Sequence, residues 1–210
     1  MHSTKLTNTK HVYIIDDDKP VRIALMRGLE RLGYDVYHFE SARAFLDQSI
    51  VFRPAVLILD MQMPGMTGVE LQAWLNEKNS KLPTIFISGE STVAQGITAM
   101  KQGAWDFLAK PFNLDQLTNL IETAIKHDER IVHITSIQQQ CANRLQLLSH
   151  RELDAYHCFA KGYSHSQVMA ALEISLPTAK TYRAAVMRKL KCSSLAELIS
   201  FDKQLKGITG

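Results

Sequence analysis

Short apolar runs alternate with longer amphipathic stretches through the first 127 residues of the chain. The apolar runs cover residues 12–15, 36–37, 56–59, 85–87 and 106–108, and the amphipathic stretches cover 21–32, 41–46, 69–74, 93–100 and 114–125. Runs of about four aliphatic residues are typical of buried parallel strands, and apolar residues at helical spacing predict helices between them. Five strand–helix pairs predict an α/β fold with an open, doubly wound parallel sheet, which binds ligands beyond the carboxyl ends of its strands.

Residues 146–210 carry helix-start signals in place of the alternating runs. Ser149, Ser164 and Ser194 are each followed three residues later by Glu or Gln, which is the pattern of an N-terminal capping box. Ser175 with the nearby Pro177 predicts another helix start, and Gly162 is placed to end the first helix. This segment therefore predicts a small all-α domain of four short helices.

The segment between these two parts, residues 128–145, allows two interpretations. Apolar residues recur here at alternating spacings of three and four, and the segment lacks Gly and Pro, which favours a short helix with a heptad seam. The run of three glutamines at 138–140 favours a polar, partly flexible linker equally well. The predicted organisation is a domain over 1–127, a linker or helix over 128–145, and a second domain over 146–210.

Composition and charge narrow the class of protein. The 210 residues are 46% hydrophobic and 21% charged, which excludes collagenous and highly charged disordered chains. The longest aliphatic run, 56–59, is far too short to cross a bilayer, and the polar N-terminus lacks a signal-peptide core. The three cysteines match neither a disulfide framework nor a zinc site, so we expect reduced thiols and a cytoplasmic location.

Charge is distributed unevenly along the chain. Residues 1–130 contain 14 Lys and Arg against 16 Asp and Glu, whereas residues 131–210 contain 10 against 5. A basic second part predicts that any polyanionic partner binds there. Between Ile174 and Cys192 there are five basic residues and no acidic one, on a predicted helix that follows another helix after a tight link. This arrangement predicts a helix-turn-helix, whose second helix can enter the major groove of DNA.

Reactive side chains follow the predicted strands at their carboxyl ends. Asp16 and Asp17 follow the first strand, Asp60 ends the third, Ser88 follows the fourth, and Lys110 follows the fifth. Each residue alone has an ordinary structural explanation, but the predicted fold gathers all of them around one crevice. Clustered carboxylates repel one another without a cation, and carboxylate oxygens with water are the ligands that Mg²⁺ prefers.

The first part of the chain resembles a response-regulator receiver domain of the flavodoxin-like type. Four segments match in order, residues 15–18 (IDDD), 59–68 (LDMQMPGMTG), 87–89 (ISG) and 107–112 (FLAKPF). The resemblance implies that Asp60 accepts a phosphoryl group. Further implied roles are Mg²⁺ binding by Asp16, Asp17, Asp60 and the backbone carbonyl of Gln62, phosphoryl contact by Ser88 and Lys110, a switch at Phe107, and tuning of the phosphate lifetime by Gln62 and Glu90.

The second part resembles the LuxR-type helix-turn-helix through residues 148–152 (LSHRE), 162–164 (GYS), 172–175 (LEIS), 177–183 (PTAKTYR) and 188–190 (RKL). It departs from the family pattern at Ala179 and Tyr182. The resemblance, joined to a basic outward face, implies DNA contacts by Lys180, Thr181 and Ala184 at base edges, by Arg183, Arg188 and Lys189 at phosphates, and by Lys191. It also implies that Leu195, Leu198 and Ile199 of the last helix pair two copies.

Taken together, the chain resembles response regulators of the FixJ/NarL type. The resemblance implies phosphorylation of Asp60 by a sensor histidine kinase with Mg²⁺, formation of a homodimer, and binding to double-stranded promoter DNA, with RNA polymerase as a further candidate partner and no membrane partner. We expect no enzymatic activity beyond the receiver's own phosphorylation and dephosphorylation. Two alternatives are a phosphate-relay module with a protein-binding helical domain and a DNA-binding regulator with a silent receiver.

Overall fold

The computed structural model describes residues 10–48, 51–89 and 93–207, and the chain divides into two compact units, Met1–Val132 and His133–Gly210. The first unit is a five-stranded parallel sheet flanked by helices. Its strands are β1 (His11–Ile15), β2 (Asp35–Phe39), β3 (Ala55–Asp60), β4 (Thr84–Ser88) and β5 (Asp106–Ala109). Its helices are α1 (Lys19–Arg31), α2 (Ala42–Leu46), α3 (Gly68–Glu77), α4 (Val93–Lys101) and α5, which runs from Leu114 to Leu145 across the division between the units.

The strand order in the sheet is β2-β1-β3-β4-β5, with every neighbouring pair parallel. This order is that of the flavodoxin-like doubly wound fold and confirms the predicted fold class. In such a sheet the chain winds outward in two directions from β1 and β3. The carboxyl ends of these two strands therefore border the crevice in which this kind of fold binds its ligands.

The sheet separates two hydrophobic cores because successive side chains of a strand point to opposite faces. On β3, Leu57 and Leu59 belong to one core, while Val56 and Ile58 belong to the other. All four side chains are fully buried, as expected for a central strand covered by helices on both faces. β3 is thus held rigidly by packing on both sides and by hydrogen bonding to both neighbouring strands.

The amino end of β3 is fastened to α5 by a buried carboxylate. Asp128 of α5 is entirely buried, and its Oδ2 accepts hydrogen bonds from the backbone N–H of Ala55 at 2.8 Å and from Nε of Arg53 at 3.0 Å. A second guanidinium nitrogen of Arg53 contacts the other carboxylate oxygen. Because the buried carboxylate has both a cationic partner and a backbone donor, the cost of removing its charge from water is offset.

The segment 128–145 is helical in the structure, because α5 extends to Leu145. The division between the units falls at Val132 and His133, inside this segment. Cys141 is buried in the core of the second unit, and Ile137 and Leu145 pack against that core. Residues from 137 onward therefore contribute to the second unit, which is a larger role than a linker would have.

The second unit continues with α6 (His150–Ala160), α7 (His165–Leu172), α8 (Leu176–Leu190) and α9 (Leu195–Leu205). Its core includes Tyr156, Phe159, Val186 and Leu190. Glu173 adopts a left-handed conformation at the end of α7, and Ser175 caps α8 two residues later. α7 and α8 are thus joined by a three-residue turn, as in a helix-turn-helix.

The predicted helix starts are found at the four serines. Ser149 and Ser164 form complete capping boxes with Glu152 and Gln167. Ser194 caps α9 through the Glu197 backbone N–H, but the predicted box there is incomplete. The Glu197 carboxylate binds the backbone N–H and the hydroxyl of Ser193 instead, at 2.7 and 2.6 Å. Within the described residues, no helix has the length and apolar character that would be needed to cross a membrane.

Candidate functional site

Two carboxylates and one ammonium meet at the carboxyl ends of β1, β3 and β5. Asp16 follows β1 directly, Asp60 is the last residue of β3, and Lys110 follows β5. The Lys110 Nζ lies 2.9 Å from Asp16 Oδ2 and 2.9 Å from Asp60 Oδ1. Asp16 is fully buried and Asp60 is only 6% exposed, so the three charges interact in a largely water-excluded crevice. The structure therefore brings together three residues that the sequence predicted to share one site.

Burial and charge pairing act in opposite directions on these groups. Burial raises the pKa of Asp16, although hydrogen bonding to Lys110 and to the Asp18 backbone N–H opposes this effect. Burial lowers the pKa of Lys110, but its hydrogen bonds to Asp16 and Asp60 outweigh that effect and raise it overall. Lys110 is therefore held in its charged form between two acids, where it can neutralise added negative charge.

Backbone donors orient the carboxylates. Asp16 Oδ1 accepts from the Asp18 N–H, and Asp60 Oδ2 accepts from the Gln62 N–H, each at 2.8 Å. In each case the N–H group belongs to the second residue after the aspartate, so the turn that follows the strand supplies the hydrogen-bond donor for the aspartate at its start. One oxygen of each acid thus faces Lys110 while the other is fixed by the backbone.

Arg22 is a residue of this site that the sequence analysis did not identify. It lies on α1, is only 6% exposed, and donates from its guanidinium to the backbone carbonyl of Asp16 at 2.5 Å. A buried cation beside clustered acids reduces their mutual repulsion, and its bond fixes the main chain that carries Asp16. The signal in the sequence is the helical spacing of Arg22 with Leu25 and Leu29, which are the other buried residues of α1.

The other predicted site residues differ in accessibility. Ser88 is 3% exposed at the end of β4, and Phe107 on β5 packs against one of the two cores, next to Gly96 of α4. Asp17 and Gln62 are exposed. Glu90, which was predicted to tune the phosphate lifetime, lies outside the described residues.

The carboxylates of this site suit a metal ion that keeps several water molecules as ligands. Among the described residues, no three side chains of the His, Cys, Asp and Glu types converge on a position for a metal ion. Mg²⁺ does not require such a cage, since it commonly binds one or two carboxylates and retains several waters. The carboxylates of Asp16 and Asp60 beside the exposed turn at Gln62 are a suitable set for this ion.

The second unit presents an exposed basic helix face. On α8, Ala179, Val186 and Leu190 are buried, while Lys180, Thr181, Ala184 and Arg188 are exposed. Lys191 follows α8 in a left-handed conformation and is also exposed. Because α8 is the second helix of the helix-turn-helix, this face corresponds to the one that enters the major groove in such motifs.

Two of the predicted phosphate contacts have partners within the unit. The Lys189 Nζ lies 2.6 Å from Oε2 of Glu152, the same oxygen that accepts the Ser149 N–H in the capping box of α6. The Arg183 guanidinium lies 6.0 Å from the centre of the Phe159 ring, within the range of a cation–π interaction. Lys189 therefore joins α8 to α6 through an ion pair, although its side chain is still 30% exposed.

The predicted dimerisation residues of α9 divide into core and surface. Leu198 is fully buried in the core of the second unit, and Leu195 packs against that core. Leu198, which the resemblance assigned to pairing two copies, has no exposed area with which to contact a second copy, because it faces the core of its own unit. Ile199 is partly exposed and retains a surface that a partner could reach.

The fold and these two sites define a class of protein. An α/β unit with a lysine held between two strand-end aspartates is a receiver domain, and a basic helix-turn-helix is a DNA-binding domain, so the pair defines a response regulator. Comparison with known families agrees: residues 12–122 match the response regulator receiver domain, and residues 146–201 match the luxR family of bacterial regulatory proteins. The chain belongs to the response-regulator family with a LuxR-type DNA-binding domain.

Curated relatives and solved structures are similar over nearly the whole chain. The transcriptional regulatory protein FixJ of Bradyrhizobium diazoefficiens is 36% identical over 92% of this chain and 95% of its own. The response regulator protein TodT of Pseudomonas putida is 34% identical over 93% of this chain and 86% of its own. The structure of the response regulator StyR has a TM-score of 0.83 at 32% identity, covering 93% of this chain and 99% of that one.

Proposed function

We propose that this response regulator accepts a phosphoryl group on Asp60 from a sensor histidine kinase and thereby controls DNA binding by α8. One observation carries the proposal: a single ammonium, that of Lys110, lies 2.9 Å from both Asp16 and Asp60 at the switch point of the sheet. A carboxylate nucleophile acts on phosphorus when fixed positive charge stabilises the phosphoryl oxygens. The site supplies that charge next to the acceptor.

In the proposed reaction, one oxygen of Asp60 forms a bond to the phosphorus of a phosphohistidine. The bond from phosphorus to the imidazole nitrogen breaks, its electron pair remains on the nitrogen, and the imidazole takes up a proton. Asp60 Oδ2 is held by the Gln62 N–H, which fixes the direction of the carboxylate. Lys110 balances negative charge on the phosphoryl oxygens, and the Ser88 hydroxyl at the end of β4 is suited to donate to one of them.

Mg²⁺ suits the acidic side of this crevice, where Asp16, Asp60 and the backbone carbonyl of Gln62 would hold it, with Asp17 at the exposed edge. When bound, the ion would supply positive charge in addition to that of Lys110. Arg22 supports the arrangement from the protein side, since it fixes the main chain of Asp16. The protein thereby contributes position and charge, which are the main requirements of phosphoryl transfer.

The proposed output is transcriptional regulation in the cytoplasm. Lys180, Thr181 and Ala184 would face base edges, and Arg188 and Lys191 would face phosphates, with Arg183 beside them. Phosphorylation would promote a homodimer and raise the affinity for promoter DNA, and a switch at Phe107 would carry the signal. No catalytic activity is proposed apart from the phosphorylation and dephosphorylation of the receiver itself. RNA polymerase remains a candidate partner of the DNA-bound form.

The test uses the full-length chain with Mg²⁺ and acetyl phosphate as the phosphoryl donor. The wild-type protein is expected to gain one acyl phosphate on a phosphate-affinity gel, and Asp60→Ala is expected to gain none. Lys110→Ala should label much more slowly, because the charge next to the acceptor is lost, whereas Lys78→Ala is an exposed-lysine control that should label normally. Equal labelling of Asp60→Ala and wild type would refute the assignment of the acceptor.

DNA binding is measured in the same experiment series. Duplexes selected by the wild-type protein from a random-sequence pool are titrated with protein, with and without beryllofluoride as a phosphoryl mimic. Higher affinity with the mimic in wild type but not in Asp60→Ala is expected. If the mimic leaves the affinity of wild type unchanged, the proposed link between receiver and DNA binding is wrong.

A further inference from the structure

Leu176 is an exposed aliphatic residue at the start of the helix that is proposed to read DNA. It is the first residue of α8, immediately after the N-cap Ser175, and its side chain is 41% exposed. α8 lies wholly within the described residues, and its other large apolar side chains have a place in the core. Val186 and Leu190 are buried there, and Tyr182 and Met187 pack against it. Leu176 is therefore not explained by the packing of its own unit.

Helical geometry places Leu176 on the stripe that holds two of the predicted base contacts. Residues four apart lie on the same side of a helix, so Leu176, Lys180 and Ala184 form one row. Lys180 and Ala184 are exposed, as Leu176 is. The N-terminal residues of the second helix of a helix-turn-helix are those that contact base edges in the major groove. Leu176 is the N-terminal member of the row.

The charges around Leu176 favour nucleic acid over an apolar protein partner. From Ile174 to Cys192 the chain has five basic residues and no acidic one. Lys180 is exposed one helical turn from Leu176, Arg188 and Lys191 are exposed further along, and the exposed Glu173 precedes Leu176 by three residues. An aliphatic side chain on a helix whose charged residues are all basic suits a surface that is strongly anionic overall but has local apolar groups. The major groove of DNA is such a surface, because each thymine projects a C5-methyl group into it.

We propose that Leu176 packs against a thymine methyl group in the major groove and thereby selects a thymine at that position of the binding site. The proposal rests on the proposed DNA-binding function and adds to it a residue that determines specificity. A leucine offers no hydrogen-bond donor or acceptor, so the methyl group is the one base-edge feature that it can distinguish. A purine presents its N7 acceptor in this part of the groove, which an aliphatic side chain would leave without a hydrogen-bond partner, and a cytosine presents a C5–H that lacks the methyl group.

The experiment removes the thymine methyl group and the Leu176 side chain, first separately and then together. The full-length protein with Mg²⁺ and beryllofluoride is titrated against a duplex selected from a random pool, and against copies in which each thymine is replaced in turn by deoxyuridine. This replacement removes only the methyl group. At one thymine position, and at its symmetry-related copy if two copies bind, wild type should lose about fourfold in affinity, equivalent to about 0.8 kcal/mol for one buried carbon group.

The variants decide whether Leu176 is the residue involved. Leu176→Ala should lose a similar factor on the thymine duplex and should no longer respond to deoxyuridine at that position. Leu176→Ile keeps an aliphatic group and should keep the response. Leu147→Ala is the matched control, because Leu147 is 60% exposed in the same unit but lies outside α8. It should behave as wild type at every position.

Three results would overturn the proposal. In the first, Leu176→Ala remains as sensitive as wild type to every methyl removal. In the second, no methyl removal affects wild type, or the selected duplexes share no thymine, while Leu176→Ala still binds normally. In the third, Leu176→Ala loses the same factor of affinity on the thymine and deoxyuridine duplexes, which would assign Leu176 to a protein contact. Failure of the wild-type protein to select any duplex would refute the DNA-binding function itself, which is a distinct outcome.

Discussion

Gly68 allows α3 to begin directly against the main chain of the acceptor, so the substitution Gly68→Ala tests how closely the site is packed. A Cβ atom added at Gly68 would lie 2.1 Å from the carbonyl oxygen of Asp60 and 3.1 Å from Cγ of Leu59. The Gly68 N–H also donates to the Met61 carbonyl at 3.1 Å. The nearest atom is backbone, which cannot rotate away as a flexible side chain can.

The size of the effect follows from this distance. The closest ordinary contact between a carbon and a carbonyl oxygen is about 3.3 Å, so the added methyl group must move away by more than about 1 Å. The start of α3 or the end of β3 must therefore shift. Overpacking of this kind costs about 1–3 kcal/mol and occasionally more, and the backbone position of the clash favours the upper end of that range. A displacement of Asp60 by about 1 Å is also expected to slow phosphorylation about 100-fold.

Both effects can be measured on the full-length protein. Trp74 and Trp105, the two tryptophans of the chain, belong to the first unit, so their fluorescence in urea follows the unfolding of that unit. Gly96→Ala is the matched control, because a Cβ there would lie 3.4 Å from the Phe107 ring, an ordinary contact. In the interior of α4, alanine is expected to stabilise by about 0.5–1 kcal/mol relative to glycine. If Gly68→Ala unfolds at the wild-type urea concentration and is phosphorylated at the wild-type rate, the steric argument is wrong.

Three further predictions can be tested by substitution. Asp128→Ala should lower the free energy of unfolding in urea by about 2–4 kcal/mol, because it leaves the Arg53 guanidinium and a backbone N–H without a partner. The control Asp47→Ala removes the exposed ion pair of Asp47 with Arg43 and should change the free energy by less than about 0.5 kcal/mol. Lys189→Met should reduce the stability of the second unit but leave the salt dependence of DNA binding unchanged. Arg188→Gln should make the slope of log affinity against log salt concentration shallower by about 0.9 for each phosphate contact that is lost. Equal slopes for the two variants would contradict the inference that Arg188 binds a phosphate and Lys189 does not. The ion pair with Lys189 and, after it, the capping box lower the pKa of Glu152 from 4.5 to about 2, so its stabilising effect is present above pH 4.5 and is lost as the pH falls to about 2. The stability gap between wild type and Glu152→Gln, followed by circular dichroism, should therefore close over that range, and a gap that stays constant with pH would exclude this role for the carboxylate.

The part of the site that could be predicted from sequence is the part that depends on strand ends. Asp16, Asp60 and Lys110 each follow a short aliphatic run, and a parallel sheet brings such positions together whatever the details of packing. Helix starts were also predictable, because a capping serine and its partner are only three residues apart. Local patterns of this kind carry their own geometry.

Contacts between distant segments could not be predicted in this way. Glu152 and Lys189 are 37 residues apart, and a basic helix face gives no sign of which lysine will turn to a neighbouring helix. Leu198 was assigned to a dimer surface by the family resemblance alone, and the sequence of α9 does not show which of its apolar residues the core of the unit covers. Arg22 was missed for the same reason, because its burial can be recognised only when its partner, the Asp16 carbonyl, is known. These details are set by tertiary packing.

The two ends of β3 are each tied by a charged group, and this has a consequence for how the first unit exchanges its amide protons. Lys110 holds Asp60 at one end, and Asp128 holds Ala55 at the other. Between them the strand is fully buried and bonded to a neighbour on each side. Its amides should therefore exchange with deuterium only when the whole unit opens, and their rates would give the global unfolding free energy. If phosphorylation makes amide exchange faster, the faster amides should then lie in the segments around β3. The exchange rates of β3 itself would serve as the reference.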